Sequence, residues 1–110
     1  MKVLLDEVVA HKLRLALLPH DASTTVYMGW GGLKNGALLA AAEEADFDVF
    51  VTCDRNMSYQ QDMKNQKIGV VVLSAQEWSI ISQHLTKIRE AVDAAVPGSF
   101  QFVDCGEFRR

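Results

Sequence analysis

The sequence predicts an α/β protein of three layers, in which a mostly parallel sheet of about five strands lies between helices. Short runs of aliphatic and β-branched residues recur along the chain, and segments of helical periodicity or of turn residues separate them. Strands that alternate with helices form right-handed βαβ units, so we expect one parallel sheet with helices on both faces. In the common strand order 2-1-3-4-5, the first and third strands are neighbours.

Composition and charge indicate one small globular domain. The chain has 110 residues, of which 49% are hydrophobic and 23% charged. We expect the domain to span residues 1–104 and a tail to follow at 105–110. The apolar runs are too short to cross a bilayer and the start of the chain lacks a signal pattern, so we expect a cytoplasmic protein with no membrane partner. The net charge of −3 gives no general attraction to nucleic acid.

The first half of the chain contains two predicted strands and two predicted helices. Residues 2–5 form the first strand, and the apolar spacing of residues 8–18 predicts a helix that Pro19 ends. The β-branched run within residues 20–27 suits a second strand. Three glycines in residues 28–34 predict a loop around Trp30. Asn35 has the side chain of a helix cap, so we expect the next helix to run from Gly36 to about residue 45.

The second half starts with a strand around residues 49–51, a β-branched and aromatic run that suits burial on both faces of a sheet. Residues 58–65 are polar and predict one or two helical turns. The aliphatic run at residues 68–73 predicts the fourth strand, and residues 99–103 predict a fifth strand at an edge. Between them, apolar residues at alternating steps of four and three predict one long helix over residues 75–96, with Ser74 and Glu77 at the spacing of a capping box.

Acidic side chains follow the first and third predicted strands. Asp6 and Glu7 come directly after residues 2–5, and Asp54 follows the strand around residues 49–51. Because these strands are expected to be neighbours, their carboxyl ends should bring Asp6 and Asp54 together. Oxygen ligands without sulfur suit Mg²⁺ or Mn²⁺. We therefore expect Asp6 and Asp54 to bind the metal, and Asp6, Asp54 and Glu7 to form a catalytic group that hydrolyses phosphodiesters.

Polar residues near these carboxylates are the candidates for substrate contacts. Arg55 and Asn56 follow Asp54 directly, and Asn35 lies at the start of a predicted helix. An arginine there can meet a phosphate, and amide side chains can hydrogen-bond the substrate. The simpler alternative stays open, because an aspartate after a strand often caps a helix or a turn, and Asp6 and Asp54 can each do so.

Three segments give the chain a resemblance to a known family. They are MKVLLDE at residues 1–7, GWGGL at residues 29–33 and DVFVTCDRN at residues 48–56. With them the sequence resembles, over about residues 1–103, the small PIN-like domain family, a group labelled as of unknown function and related to PIN-domain nucleases. The resemblance implies a PIN-like α/β/α fold, a Mg²⁺-dependent ribonuclease site and service as the toxin of a toxin–antitoxin pair. The partners so implied are RNA and an antitoxin protein, and a homodimer stays open.

The chain departs from the family pattern at two places. The family's opening reads Asp-Glu-Asn, where this chain has Val8 after Glu7, and the loop before its second helix reads Asp-x-Glu, where this chain has Asn35, Gly36 and Ala37. One bound metal is therefore expected rather than two. A second hypothesis is a catalytically inactive PIN-like module that binds a protein.

A third hypothesis comes from another class, the receiver domains of signalling proteins. These resemble the chain in an acidic pair after strand one, an aspartate after strand three and a hydroxyl residue after strand four. Here those positions are Asp6 with Glu7, Asp54 and Ser74. Receivers also carry a lysine at the end of strand five, and residues 102–105 contain none.

Overall fold

A parallel sheet of five strands is the centre of the fold. The computed structural model describes residues 1–54 and 67–105. The strands are β1 (Lys2–Leu5), β2 (Asp21–Thr24), β3 (Val49–Thr52), β4 (Gly69–Leu73) and β5 (Phe100–Val103), in the order β2-β1-β3-β4-β5. All pairings are parallel. The predicted fold class, the strand order and the edge position of β5 are confirmed.

The two central strands are buried on both faces. Every residue of β3 and β4 is buried, and Leu5 of β1 pairs with Val51 of β3. Because side chains alternate across a strand, Leu5 and Val51 lie on one face while Leu4 and Phe50 lie on the other. The apolar runs of β3 and β4 are therefore strands that have no solvent-facing side.

Four helices cover the sheet in the part of the chain that the structure describes. They are α1 (Leu13–Ala16), α2 (Asn35–Glu44), α3 (Trp78–Ile81) and α4 (Leu85–Asp93). Helices α1, α3 and α4 share a core with Leu5 and Val51, on what we call the first face. Helix α2 shares a core with Leu4 and Phe50, on the second face. None of the helices in the described ranges is long and apolar enough to cross a membrane.

The predicted helix over residues 8–18 is wrong in extent. Only Leu13–Ala16 is α-helical, and the turns around it close between residues three apart, such as Leu13 N–H to the Ala10 carbonyl at 3.1 Å. The predicted apolar stripe is nevertheless the buried one, since Val9, Leu13 and Leu17 reach the core. A tightly wound connection thus buries the same side chains as the expected helix would.

The predicted helix over residues 75–96 is broken into α3 and α4. At the break, the carbonyl of Ser79 accepts a hydrogen bond from the side-chain amide of Gln83 at 2.9 Å. The backbone N–H of Gln83 bonds instead to the carbonyl of Ile80 at 3.1 Å. A side chain has taken an acceptor that a continuous α-helix uses for its own backbone, so the helix ends there.

The caps also differ from the predictions. Asn35 is the first residue of α2 rather than its cap, and Lys34 occupies the cap position with extended backbone. Ser74 does not cap α3, whose cap is Glu77, because the Ser74 hydroxyl accepts a hydrogen bond from the backbone N–H of Cys105 at 2.7 Å. Cys105, placed in a tail by the sequence analysis, is fully buried in the core of the first face. The turns predicted at residues 58–65 lie outside the described residues.

One of the crossovers cannot be right-handed. The β1–β2 and β4–β5 connections both run over the first face, but they step across the sheet in opposite directions. Reversing the step on the same face reverses the hand, so these two crossovers have opposite hands. The expectation of right-handed units throughout is therefore wrong, and the exception is a rare one. The hydrogen bonds of Arg89 on α4 to the carbonyls of Ala16 at 3.3 Å and Leu18 at 2.7 Å join the two connections.

Candidate functional site

The aspartate after β1 is held by a hydroxyl group from β3. The backbone N–H of Asp6 donates to the carbonyl of Val51 at 2.9 Å, which extends the pairing of the two strands by one residue. The hydroxyl of Thr52, which is fully buried, donates to Asp6 Oδ2 at 2.7 Å. A hydrogen bond to a carboxylate is stronger than one between neutral groups. The Asp6 side chain is therefore fixed at the carboxyl edge of the sheet.

The same threonine contacts Asp54. The backbone N–H of Asp54 donates to Thr52 Oγ1 at 3.1 Å, so one hydroxyl group lies between the Asp6 carboxylate and the Asp54 backbone. Both aspartates are half-buried. The structure thus places Asp6 and Asp54 at the ends of neighbouring strands, as the sequence predicted. That both carboxylates bind one metal ion stays a prediction.

A third strand contributes a second buried hydroxyl group. Thr25 follows β2, and its N–H donates to the carbonyl of Leu5 at 3.0 Å, so the register of β1 and β2 brings it beside Asp6. Its side chain is 1% exposed, and within the described chain its hydroxyl has no hydrogen-bond partner. A buried hydroxyl without a partner carries a desolvation cost. It is a group that a water molecule or a ligand at this edge can satisfy.

Glu7 lies at the rim of the same edge. Its side chain is exposed, and Oε1 is close to the glycine loop after β2, since a Cβ added at Gly31 would lie 3.5 Å from it. Gly29 and Gly32 of this loop have φ of +78° and +93°, values that other residues rarely adopt. The glycines therefore allow the loop to turn beside Glu7.

The remaining predicted site residues divide into two groups. Arg55 and Asn56 lie outside the described residues. Asn35 begins α2, and the loop that precedes it leads from the carboxyl end of β2. Trp30, in the glycine loop, is half-buried and packs edge-on against Phe47 at 5.9 Å between ring centroids. Its role is therefore packing on the second face.

Cys53 is a thiol rather than a thiolate. Burial raises its pKa to about 12, and the negative charge of Asp6 adds to the shift. Its Sγ–H donates to the carbonyl of Ala75 at 3.1 Å. A thiol needs its deprotonated form to act as a nucleophile, so Cys53 contributes packing beside Asp6 and no covalent catalysis at neutral pH.

The chemistry of the donor set fits one hard cation. Among residues 1–54 and 67–105, no group of three or more His, Cys, Asp or Glu side chains is arranged to hold a metal ion. Mg²⁺ is commonly held by one or two carboxylates together with water molecules. Asp6, Asp54 and the hydroxyl of Thr25, which has no partner among the described residues, are oxygen groups of this kind at one edge of the sheet, and much of the shell of such an ion would be left to water or substrate.

A cavity of about 570 Å³ opens on the first face at the same edge of the sheet, and sequence reasoning missed it. Its polar lining comes from the last residue of β2 and from three connections, and consists of Glu7, His11, Arg14, Thr24, Tyr27 and Gln76. Valines and one alanine supply the apolar part of its wall. The sequence signal was the position of these segments, because each of them follows the carboxyl end of β1, β2 or β4.

The fold and this edge define a parallel α/β protein with aspartates and hydroxyl groups at the carboxyl ends of its inner strands. No family model matches the chain, and comparisons with curated proteins and with solved structures find no match either.

Proposed function

We propose that this protein is a metal-dependent ribonuclease of the PIN-like type. Asp6 and Asp54 would hold one Mg²⁺ or Mn²⁺ ion, as the resemblance implies. The observation that carries the proposal is the Thr52 hydroxyl, which contacts the Asp6 carboxylate and the Asp54 backbone at the ends of neighbouring strands. Ligands of open parallel sheets bind at this edge. The reduced state of Cys53 and Cys105 favours action in the cytoplasm.

Thr52, Asp6 and Glu7 would have different roles in the hydrolysis of RNA. Thr52 keeps Asp6 in one orientation, and a fixed carboxylate binds a cation without a cost for ordering it. A bound divalent ion supplies polarisation of the phosphodiester and activation of a water molecule. Glu7, which is exposed at the same edge, is the group to accept the proton of that water.

Metal binding tests the first half of the proposal. Thermal unfolding is followed for the parent protein with increasing Mn²⁺ and compared with Asp6→Asn and Asp54→Asn. Metal at about 100 times its Kd stabilises a protein by about 2.7 kcal/mol, and both variants should lose this gain. Asp21→Asn is the matched control, because Asp21 is exposed at the start of β2, the opposite edge of the sheet. Equal Mn²⁺ responses in all four proteins would refute the metal site.

Cleavage tests the second half. The parent protein should cut a labelled single-stranded RNA only with Mn²⁺ or Mg²⁺, and Asp54→Asn should abolish the cutting. The Asp21→Asn control excludes a general effect of lost negative charge. A parent protein that binds Mn²⁺ and leaves the RNA intact would refute the ribonuclease proposal and leave the metal site standing.

The resemblance also supports a toxin role, which we propose for the same site. Induced expression of the parent protein in a bacterium should arrest growth, and expression of Asp54→Asn should not. Co-expression of a small protein encoded beside this chain should relieve the arrest if that protein is the antitoxin. Equal growth with both variants would count against the toxin role.

A second candidate function is a catalytically inactive module that binds a protein. The observation in its favour is the apolar character of two exposed side chains in the connections at this edge, Val8 at 48% and Leu33 at 42% exposure. Val8 stands where the resembled family has an asparagine. If the Mn²⁺ and RNA experiments fail, binding of the neighbouring gene product to the parent but not to Val8→Asp would support this role.

A further inference from the structure

The cavity on the first face has the size and the chemistry of a nucleotide subsite. Its volume of about 570 Å³ lies within the range of small-molecule sites. Val8, Val9 and Val26 give it an apolar wall, and Arg14 and His11 give it two nitrogen-bearing side chains that donate hydrogen bonds. A ligand with a flat apolar part and an anionic part satisfies both kinds of lining.

The anionic part of the ligand would meet Arg14. Both Arg14 and His11 are exposed, and the backbone N–H of Arg14 donates a hydrogen bond to the backbone carbonyl of His11 at 3.1 Å, so the two residues lie on one turn. An arginine presents several N–H groups in a plane, which match the oxygens of a phosphate. Glu7 also lines the cavity, and its negative charge weakens the attraction of the cavity for an anion. A bare anion is therefore a poorer ligand than a phosphate attached to a base.

The flat part of the ligand would meet Tyr27. This side chain is 79% exposed, the highest value among the large hydrophobic residues of the described chain. Its backbone is nevertheless fixed, since its N–H donates to Thr24 Oγ1 at 3.0 Å. An exposed aromatic ring on a fixed turn is a platform on which a nucleobase can stack, and stacking tolerates every base.

The position of the cavity connects it with the acidic edge. Asp6 and Glu7 are adjacent in the chain, and Glu7 lines the cavity while Asp6 bonds to Thr52. A linear ligand that leaves the cavity at Glu7 would reach the end of β1, where Asp6 lies. A free nucleotide is too short to reach from the cavity to the end of β1, whereas a nucleic acid strand can occupy both places.

We propose that the cavity binds one nucleotide of a single-stranded RNA, with a phosphate on Arg14 and His11 and a base on Tyr27. This inference rests on the proposed ribonuclease function and says where on the protein part of the RNA would lie. The net charge of −3 provides no general attraction to RNA, so the affinity must come from this local contact.

Fluorescence anisotropy with a short labelled oligouridylate tests the subsite in EDTA, where no metal-dependent step contributes. Tyr27→Ala should weaken binding roughly five- to tenfold, the effect of losing one stacked base, and Tyr27→Phe should bind like the parent. Arg14→Gln should also lower the slope of log K against log salt by about 0.7, the share of one phosphate contact on a single strand.

Two controls make the result specific. Lys12→Gln removes an exposed cation that lies two residues from Arg14 and does not line the cavity, so it should keep the parent's salt slope. Uridine monophosphate should bind far more weakly than the oligonucleotide, and equal binding would replace RNA by a free nucleotide as the ligand. Unchanged RNA binding by both Tyr27→Ala and Arg14→Gln, or no RNA binding by the parent, would overturn the subsite.

The outcomes separate this inference from the function on which it rests. RNA binding that depends on Tyr27 and Arg14, without cleavage in Mn²⁺, would keep the subsite and remove the ribonuclease activity. Cleavage that neither substitution affects would keep the activity and remove the subsite. If the neighbouring gene product binds the parent and Tyr27→Ala abolishes that binding while RNA affinity is unchanged, the cavity is a protein-binding site instead.

Discussion

The two buried threonines at the carboxyl edge allow a matched experiment. Thr52→Val and Thr25→Val each replace a hydroxyl by a methyl group of similar size in a side chain that is almost fully buried. The hydroxyl of Thr52 has two hydrogen bonds, to Asp6 Oδ2 and from Asp54 N–H, whereas that of Thr25 has no partner within the described chain. The two substitutions therefore make the same chemical change in opposite environments.

The expected magnitudes follow from these contacts. A hydrogen bond to a charged group contributes about 1.5–3 kcal/mol and a neutral one about 1 kcal/mol. Because Asp6 and Asp54 are half-buried, water replaces part of the loss, and Thr52→Val should lower the free energy of unfolding by roughly 2–3 kcal/mol. Thr25→Val should be neutral or stabilise by up to about 1 kcal/mol, since it removes a buried hydroxyl that has no partner among the described residues.

Urea unfolding followed by far-ultraviolet circular dichroism measures both values, and the melting temperature of Thr52→Val should fall by roughly 10 °C or more. The double variant Thr52→Val with Asp6→Asn should lose less than the sum of the single variants, because the two residues share one hydrogen bond. Equal destabilisation by Thr52→Val and Thr25→Val would show that the Thr25 hydroxyl has a partner. A cost for Thr25→Val that appears only with Mn²⁺ present would identify that partner as part of the metal site.

Three further predictions concern a glycine and a cysteine. Gly69→Ala should destabilise the protein by roughly 2–3 kcal/mol in urea unfolding, because its Cβ would lie 2.9 Å from the Val96 carbonyl oxygen. The control is Gly31→Ala, whose Cβ would make only an ordinary van der Waals contact. Equal stability of the two variants would contradict this packing. Folding raises the pKa of Cys53 from about 9 to about 12, so the protonated thiol stabilises the folded state. This contribution to the free energy of unfolding is fully present below pH 9 and should be lost as the pH rises toward 12. Asp6→Asn should lower that pKa and speed alkylation of Cys53 by iodoacetamide at pH 9, and an unchanged rate would argue against the influence of Asp6.

The strands could be predicted from the sequence because their signal is local, and their order is the one common in open parallel sheets. Runs such as residues 49–51 and 70–73 consist of β-branched, aliphatic and aromatic residues, and such runs are stable only where both faces are covered. Alternation with helical segments then implies a parallel sheet, and the sheet places Asp6 and Asp54 at adjacent strand ends. This part of the candidate site was therefore available before any coordinates.

The extents of the helices on the first face, and the cavity, could not be predicted in the same way, because competing contacts decided them. The break between α3 and α4 depends on the Gln83 side chain taking the Ser79 carbonyl, and periodicity alone cannot show that competition. The opposite hands of two crossovers depend on which face each helix buries, a choice made by the whole core.

By itself, the sequence determined which segments are strands and which charged groups end them, because burial of apolar runs and solvation of carboxylates act within a few residues. Only the tertiary structure decided which side chains bond to each other across the strand ends. It brought the hydroxyls of Thr52 and Thr25 beside Asp6, the first with hydrogen-bond partners and the second with none among the described residues, and it gathered Arg14 and Tyr27 around one cavity. The physical reason is that strand register and helix placement fix distances between residues far apart in the chain, and local propensity carries no information about such distances.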